Sequence, residues 1–366
     1  MSLTIISIQA CDHLLPLREP LVTSRHAYNS LASVFVLVTL SDGSEGLGEA
    51  RECTQITGET QKSILTAITD HIAPALIGRD AEDLEEVHTA MRMAIVNNSA
   101  ARSAVDIALH DAIGHARGLS ITKLLGGGDT RPVPSSRAIS VGRTPDMIEE
   151  ARSAVAVGFR TLKIKTGIDA AAELAAIMEI RAEVGPDILL KLDANQAWSL
   201  SEATRFLDWV ETANIQMVEQ PLPAWDLAGS AELRRRTPIP IMLDEGVHSP
   251  EGAYLALEAG ACDYINIKLL KTGGLYPALK LIAVAESAGV ACQIGTLDSS
   301  VGSAAAVHLV RSRRSLRFAE INGPSRLVKD VAQGFVLTDG MANVQDGPGL
   351  GICADHDSLG FVRSIN

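Results

Sequence analysis

The chain has 366 residues, 46% of them hydrophobic but only 4% aromatic, and a formal net charge of -12 at pH 7. That acidic balance argues against a nucleic-acid partner, since phosphate binding needs clustered Lys and Arg, and the short runs Arg234 to Arg236 and Arg311 to Arg314 read as solvated faces. The five cysteines stand far apart without C-x-x-C spacing, and neither a run of 18 apolar residues nor a signal-like N-terminus occurs, so the expectation is a cytoplasmic protein with no membrane association.

In chain order, 3–11 and 32–40 have strand character, and Ser41-Asp42-Gly43 is a turn into a further strand over 45–50. Helices are expected over 59–77 and 81–116, closing at Gly118, so residues 1–125 form an α+β unit. GGGDTRPVP, 126–134, then marks a change of architecture. Apolar segments near 132–141 and at 161–166, 188–193, 215–219, 239–244, 263–268, 291–296 and 316–320 are each followed, except the last, by helix-like sequence. Regular β-α alternation with such apolar runs predicts a (β/α) barrel over 126–322, a doubly wound sheet being the alternative. Residues 323–366, opening at Gly323-Pro324, contain no further unit and are expected to return to the N-terminal domain.

A barrel carries its active site where the strands end. Those ends read Lys163 and Lys165, Asp193, Glu219, Asp244 and Lys268, then Asp298 after QIGTL and Glu320 in FAEINGP. A single strand-end acid is a common helix cap. Three on consecutive strands repel one another and call for a cation, and an all-oxygen set suits Mg²⁺ better than zinc. Strand periodicity turns Lys163 and Lys165 to one side. Lys163 is expected to face a ligand's negative charge and, as a neighbouring cation, to keep Lys165 basic near neutral pH, with Lys268 approaching from the other side.

The motifs KIK (163–165), LDANQAW (192–198), VEQPLPAWDL (218–227), PIPIMLDE (238–245) and NIKLLKTGG (266–274), in this order and spacing, resemble the muconate lactonizing enzyme subgroup of the enolase superfamily. The resemblance implies an α/β fold, a modified TIM barrel (β/α)7β under an α+β N-terminal capping domain, with Mg²⁺ held at Asp193, Glu219 and Asp244. It also implies a small-molecule carboxylate substrate whose α-proton is removed to give an enolate, with Lys165 and Lys268 as the acid/base pair, and a homo-oligomer.

Residues 219–250 and Thr57 to Thr60 look most like dipeptide epimerases, which usually end the eighth strand with Asp-x-Asp to hold an α-ammonium. Here that position reads Glu320-Ile321-Asn322, which weakens ammonium binding in principle. GTLDSSVGSAAAVHL (295–309) and EINGP are similar instead to muconate cycloisomerases. Epimerization or racemization of a dipeptide or N-acyl amino acid is the first reading, lactonizing cycloisomerization or another lyase reaction the second, and a non-catalytic binding protein a remote third. Thr296, Asp298, Glu320 and Asn322 are expected to bind substrate, as is Arg25, which with His26 in the loop 23–33 would reach a distal carboxylate. Segments 23–33 and 52–59 read as lids over the barrel mouth. Trp225 is expected to be a packing residue.

Overall fold

A computed structural model describes residues 2–23, 26–354 and 359–361. The N-terminal part is an antiparallel sheet of Ile5–Val22, Ala27–Leu40 and Glu45–Arg51, packed on the helix Ser99–Arg117. The close approach is written in small residues. A Cβ on Gly46 would stand 2.1 Å from Ala112 N, and one on Gly48 1.9 Å from Ala104 O, so strand EGLGEA lies directly on the Ala104, Ala108, Ala112 ridge.

The two expected helices come out in pieces. Thr60 and Ser63 form a reciprocal cap that starts Gln61–Thr66, which runs through a π turn, Ala67–Ile72, to Leu76. The stretch 81–116 is two helices, Leu84–Ala94 and Ser99–Arg117, because Asn97 and Asn98 adopt left-handed backbone (φ 59° and 50°). The second helix starts on a distant partner: the Glu59 carboxylate accepts from Ala100 N at 2.9 Å and Ala101 N at 3.1 Å.

Eight parallel strands then follow in chain order: Arg137–Ile139, Thr161–Lys165, Leu189–Asp193, Ile215–Glu219, Ile241–Leu243, Tyr264–Ile267, Ala291–Thr296 and Leu316–Ile321. A helix follows each of the first seven, giving the (β/α)7β barrel. Ser136 N and Oγ both reach Ala319 O, at 2.9 and 3.1 Å, and bring the eighth strand back beside the first. The first strand is shorter than the sequence predicts. Val133–Pro134 pairs instead with Met341–Val344, and only Arg137–Ile139 joins the barrel. Past residue 322 the chain touches both parts. Met341–Val344 pairs with Val133–Pro134 and packs on the barrel helix Ser300–Ser312, while Leu350 N donates to Asp111 Oδ1 of the capping helix at 2.7 Å.

Candidate active site

Parallel register lays Lys165 opposite Asp193 and Asp193 opposite Glu219, so three charged ends form one row at the C-terminal rim. Asp244 follows the fifth strand, and Lys268 the sixth. Asp193, Glu219 and Asp244 are at most 1% exposed. Above them opens a cleft lined by Lys163, Lys165, Asn195, Glu245 and Lys268 from the barrel, and by His26, Tyr28, Arg51 and Gln55 from the capping domain.

The acids and lysines are cross-paired. Lys165 Nζ donates to Asp193 Oδ2 at 2.6 Å and Asn195 Oδ1 at 3.0 Å, and Lys268 is paired with Asp244. Lys163 Nζ stands 3.1 Å from Asp193, 3.4 Å from Glu219 and 2.5 Å from Glu320. The negative charge that Lys163 faces is therefore the protein's own, which differs from the sequence expectation. Burial opposes its charge, but Glu219, Glu320 and Asp193 outweigh that and raise its pKa well above the ordinary value. Burial likewise works against the charges of Asp193 and Asp244. Lys165 and Lys163 nonetheless lower Asp193, and Lys268 and Lys271 lower Asp244.

Glu219 goes the other way. Burial, together with repulsion from Asp193, Asp244 and Glu320 that Lys163 only partly offsets, pushes it up to about 8. Its oxygens are held from below by Asn266 Nδ2 at 2.8 Å and Gln293 Nε2 at 3.4 Å, and Lys191 Nζ donates to Gln293 Oε1 at 2.8 Å. With their oxygens turned to ammonium groups, no three acidic, His or Cys side chains among the described residues converge as a metal cluster. The donor chemistry still fits a hard cation: the site gathers buried carboxylates, and Asp244 Oδ1 and Glu245 Oε2 have no hydrogen-bond partner. For Asp244 Oδ1 the compensation is electrostatic, with Lys271 Nζ 2.7 Å away.

Of the other residues named from sequence, Thr296, Glu320 and Asn322 line the cleft. Asp298 does not: its carboxylate accepts from Thr296 Oγ1 and stands 3.6 Å from Arg51 Nε. Arg25 lies outside the described residues. Trp225 is 81% exposed, so it is not a packing residue. Sequence reasoning passed over Arg51, Tyr28, Asn195, Gln220 and Lys271. Gln220 Oε1 accepts from Asp244 N and Gly246 N at 2.9 and 3.0 Å and so shapes the loop that carries Asp244. Asn195, Gln196 and Gln220 all take positive φ (45°, 68° and 37°), a strain that collects where strands hand over to functional loops. The polar ANQ and EQ that follow two apolar strands were the available signal.

Residues 5–126 match the mandelate racemase / muconate lactonizing enzyme N-terminal domain, and residues 146–358 match the enolase C-terminal domain-like family. The chain belongs to the muconate lactonizing enzyme subgroup of the enolase superfamily and is an enzyme. It is 38% identical over 341 residues to an L-Ala-D/L-Glu epimerase of Clostridium acetobutylicum, covering 92% of this chain and 95% of that one. To an N-succinyl-L-Arg/Lys racemase of Bacillus cereus it is 34% identical, covering 98% and 97%. Among solved structures, a Cytophaga hutchinsonii dipeptide epimerase complexed with Mg and D-Ala-L-Val superposes with a TM-score of 0.94 at 29% identity, covering 98% of each chain. A Pseudomonas fluorescens muconate lactonizing enzyme complexed with muconolactone also gives 0.94, at 30% identity and 99% of each chain.

Proposed function

We propose that the enzyme removes the α-proton of a small carboxylate substrate in a Mg²⁺-dependent reaction and returns it to either face, as an epimerase or racemase of a dipeptide or N-acyl amino acid. The observation that carries this reading is topological. Lys165 ends the second barrel strand and Lys268 follows the sixth, half a circuit apart in a ring of eight, with Asp193, Glu219 and Asp244 on the three strand ends between them. An α-carbon held over that arc has one amine on each face. One lysine, as the free amine, takes the α-proton; the other, as ammonium, gives a proton to the opposite face, and the next turnover runs in reverse.

Asp193, Glu219 and Asp244 would hold the Mg²⁺. When bound, Mg²⁺ supplies positive charge beside the substrate carboxylate as electron density moves onto it. Lys163, tied to Glu320, adds fixed positive charge to the same wall. The similarity to an epimerase solved with Mg and a dipeptide supports the use of Mg²⁺.

Within that class, the end of the eighth strand favours a neutral acyl group over a free α-ammonium. Glu320 is already ion-paired with Lys163, and Asn322 donates through Nδ2 to Ser136 O at 2.6 Å. A panel of dipeptides, N-acyl amino acids and muconates in D₂O with Mg²⁺ tests the proposal. The expected result is Mg²⁺-dependent deuterium incorporation at the α-carbon, fastest with N-acyl amino acids. Lactonization of muconate without α-exchange in any amino acid derivative would move the enzyme to the cycloisomerases, and exchange that survives chelation would remove the metal.

A further inference from the structure

We infer that Asp106, on the capping helix, is a positioning residue for Lys268; this rests on Lys268 serving as one of the two bases. The Asp106 side chain is 0% exposed and crosses the domain boundary. Its carboxylate accepts from Leu275 N and, at 3.4 Å, from Tyr276 N, the first amides of the barrel helix Leu275–Ser287. That helix has Gly274 at its N-cap and no side-chain cap of its own, so Asp106 fills the role from another domain. The fit is close. Gly274 has φ 115°, and a Cβ there would lie 2.3 Å from Asp106 Oδ2.

From this clamp back to Lys268 the chain is a short braced segment. Gly273 N and Gly274 N donate to Leu269 O at 2.9 and 3.0 Å, and Thr272 Oγ1 donates to Gly274 O at 3.1 Å. Lys271 N and Thr272 N donate to Lys268 O at 2.9 and 3.1 Å. Lys271 Nζ pins the middle to Val247 O at 3.0 Å and Asn266 O at 2.8 Å. Asp106 is itself fixed, by His88 Nε2 at 2.7 Å and His110 Nδ1 at 3.5 Å. Lys165, on the second strand, takes part in none of these bonds. A loose clamp should therefore move one base and leave the other in place, which a general loss of packing would not do.

The test is deuterium exchange from each stereoisomer separately, comparing Asp106→Asn with Lys268→Ala and Lys165→Ala in the full-length Mg²⁺-loaded enzyme. The Asn variant keeps the side chain's shape but loses the charge that receives two amides. It is expected to copy Lys268→Ala in attenuated form: exchange from the isomer that Lys268→Ala silences falls about tenfold, with KM little changed and the other isomer unaffected. Equal loss from both isomers, or no loss, overturns the inference. Should Asp106→Asn fail to fold, Asp106→Ser, which keeps a shorter oxygen acceptor toward the same two amides, carries the same expectation. The parent reading fails separately, on Lys268→Ala alone, if that variant exchanges both isomers alike.

Discussion

At the scale of single residues, the site is a set of charges held in check by one another. Glu219 sits at its centre, completely buried, touched by Lys163, Asn266 and Gln293 and crowded by other acids. Glu219→Gln removes one unit of charge and nearly keeps the shape. The expected result is a fall in kcat of roughly a hundredfold or more while the circular-dichroism spectrum is unchanged; Mg²⁺ affinity, read by calorimetry, should fall with it, and undiminished affinity would remove Glu219 from the metal set. Asn322→Asp puts a second carboxylate beside Glu320 and is expected to raise kcat/KM for dipeptides relative to N-acyl amino acids. An unchanged ranking in a competition assay would show that this position does not read the amino end. The lysines and acids are legible because each lies at or beside the end of an apolar strand. Arg51 and Tyr28 are not, since what brings them to the cleft is the docking of one domain on another and no local pattern records it.

Secondary-structure elements were legible in proportion to their regularity. The barrel strands of 3 to 6 residues that carry the site are all found where apolar runs meet a polar end. The first strand reads longer in the sequence because Val133–Pro134 is just as apolar as its barrel neighbours, and only a partner far along the chain, at Met341–Val344, claims it for another sheet. The long capping helix reads as continuous because two asparagines do not outweigh the apolar periodicity on either side, although the backbone turns there. Gly48 offers a test of packing at this scale. Gly48→Ala drives a methyl group into the Ala104 carbonyl, where both sides are backbone, and should cost about 2 to 3 kcal/mol in denaturant unfolding. A variant as stable as the parent would mean that the sheet can lift off the helix without penalty.

Across the whole molecule, the barrel, the capping domain and the closing segment are joined by buried polar contacts. His308, on the helix after the seventh strand, lies 2.8 Å from Thr122 Oγ1 through Nδ1 and 3.0 Å from Leu350 O through Nε2, and burial pushes its pKa down to about 4. Between pH 4 and the ordinary 6.5 the unfolded chain binds a proton at this site and the folded chain does not, so the contribution of His308 to stability rises with pH across that window and is lost as pH falls through it, by on the order of 3 kcal/mol. His308→Gln should flatten that part of the denaturation midpoint against pH, and an unchanged profile would assign the acid sensitivity elsewhere. Saturating Mg²⁺ should raise the melting temperature, since a ligand at about 100 times its Kd adds roughly 2.7 kcal/mol.

In the proposed reaction two lysines on opposite walls of the barrel mouth serve opposite faces of one α-carbon, and stereospecific exchange in D₂O reads out each of them separately. With a substrate found in the panel screen, Lys268→Ala is expected to stop net epimerization while Lys165 still washes deuterium into one stereoisomer. Lys165→Ala should give the mirror result. If either single variant interconverts both stereoisomers at the parent rate, the two-base account is contradicted.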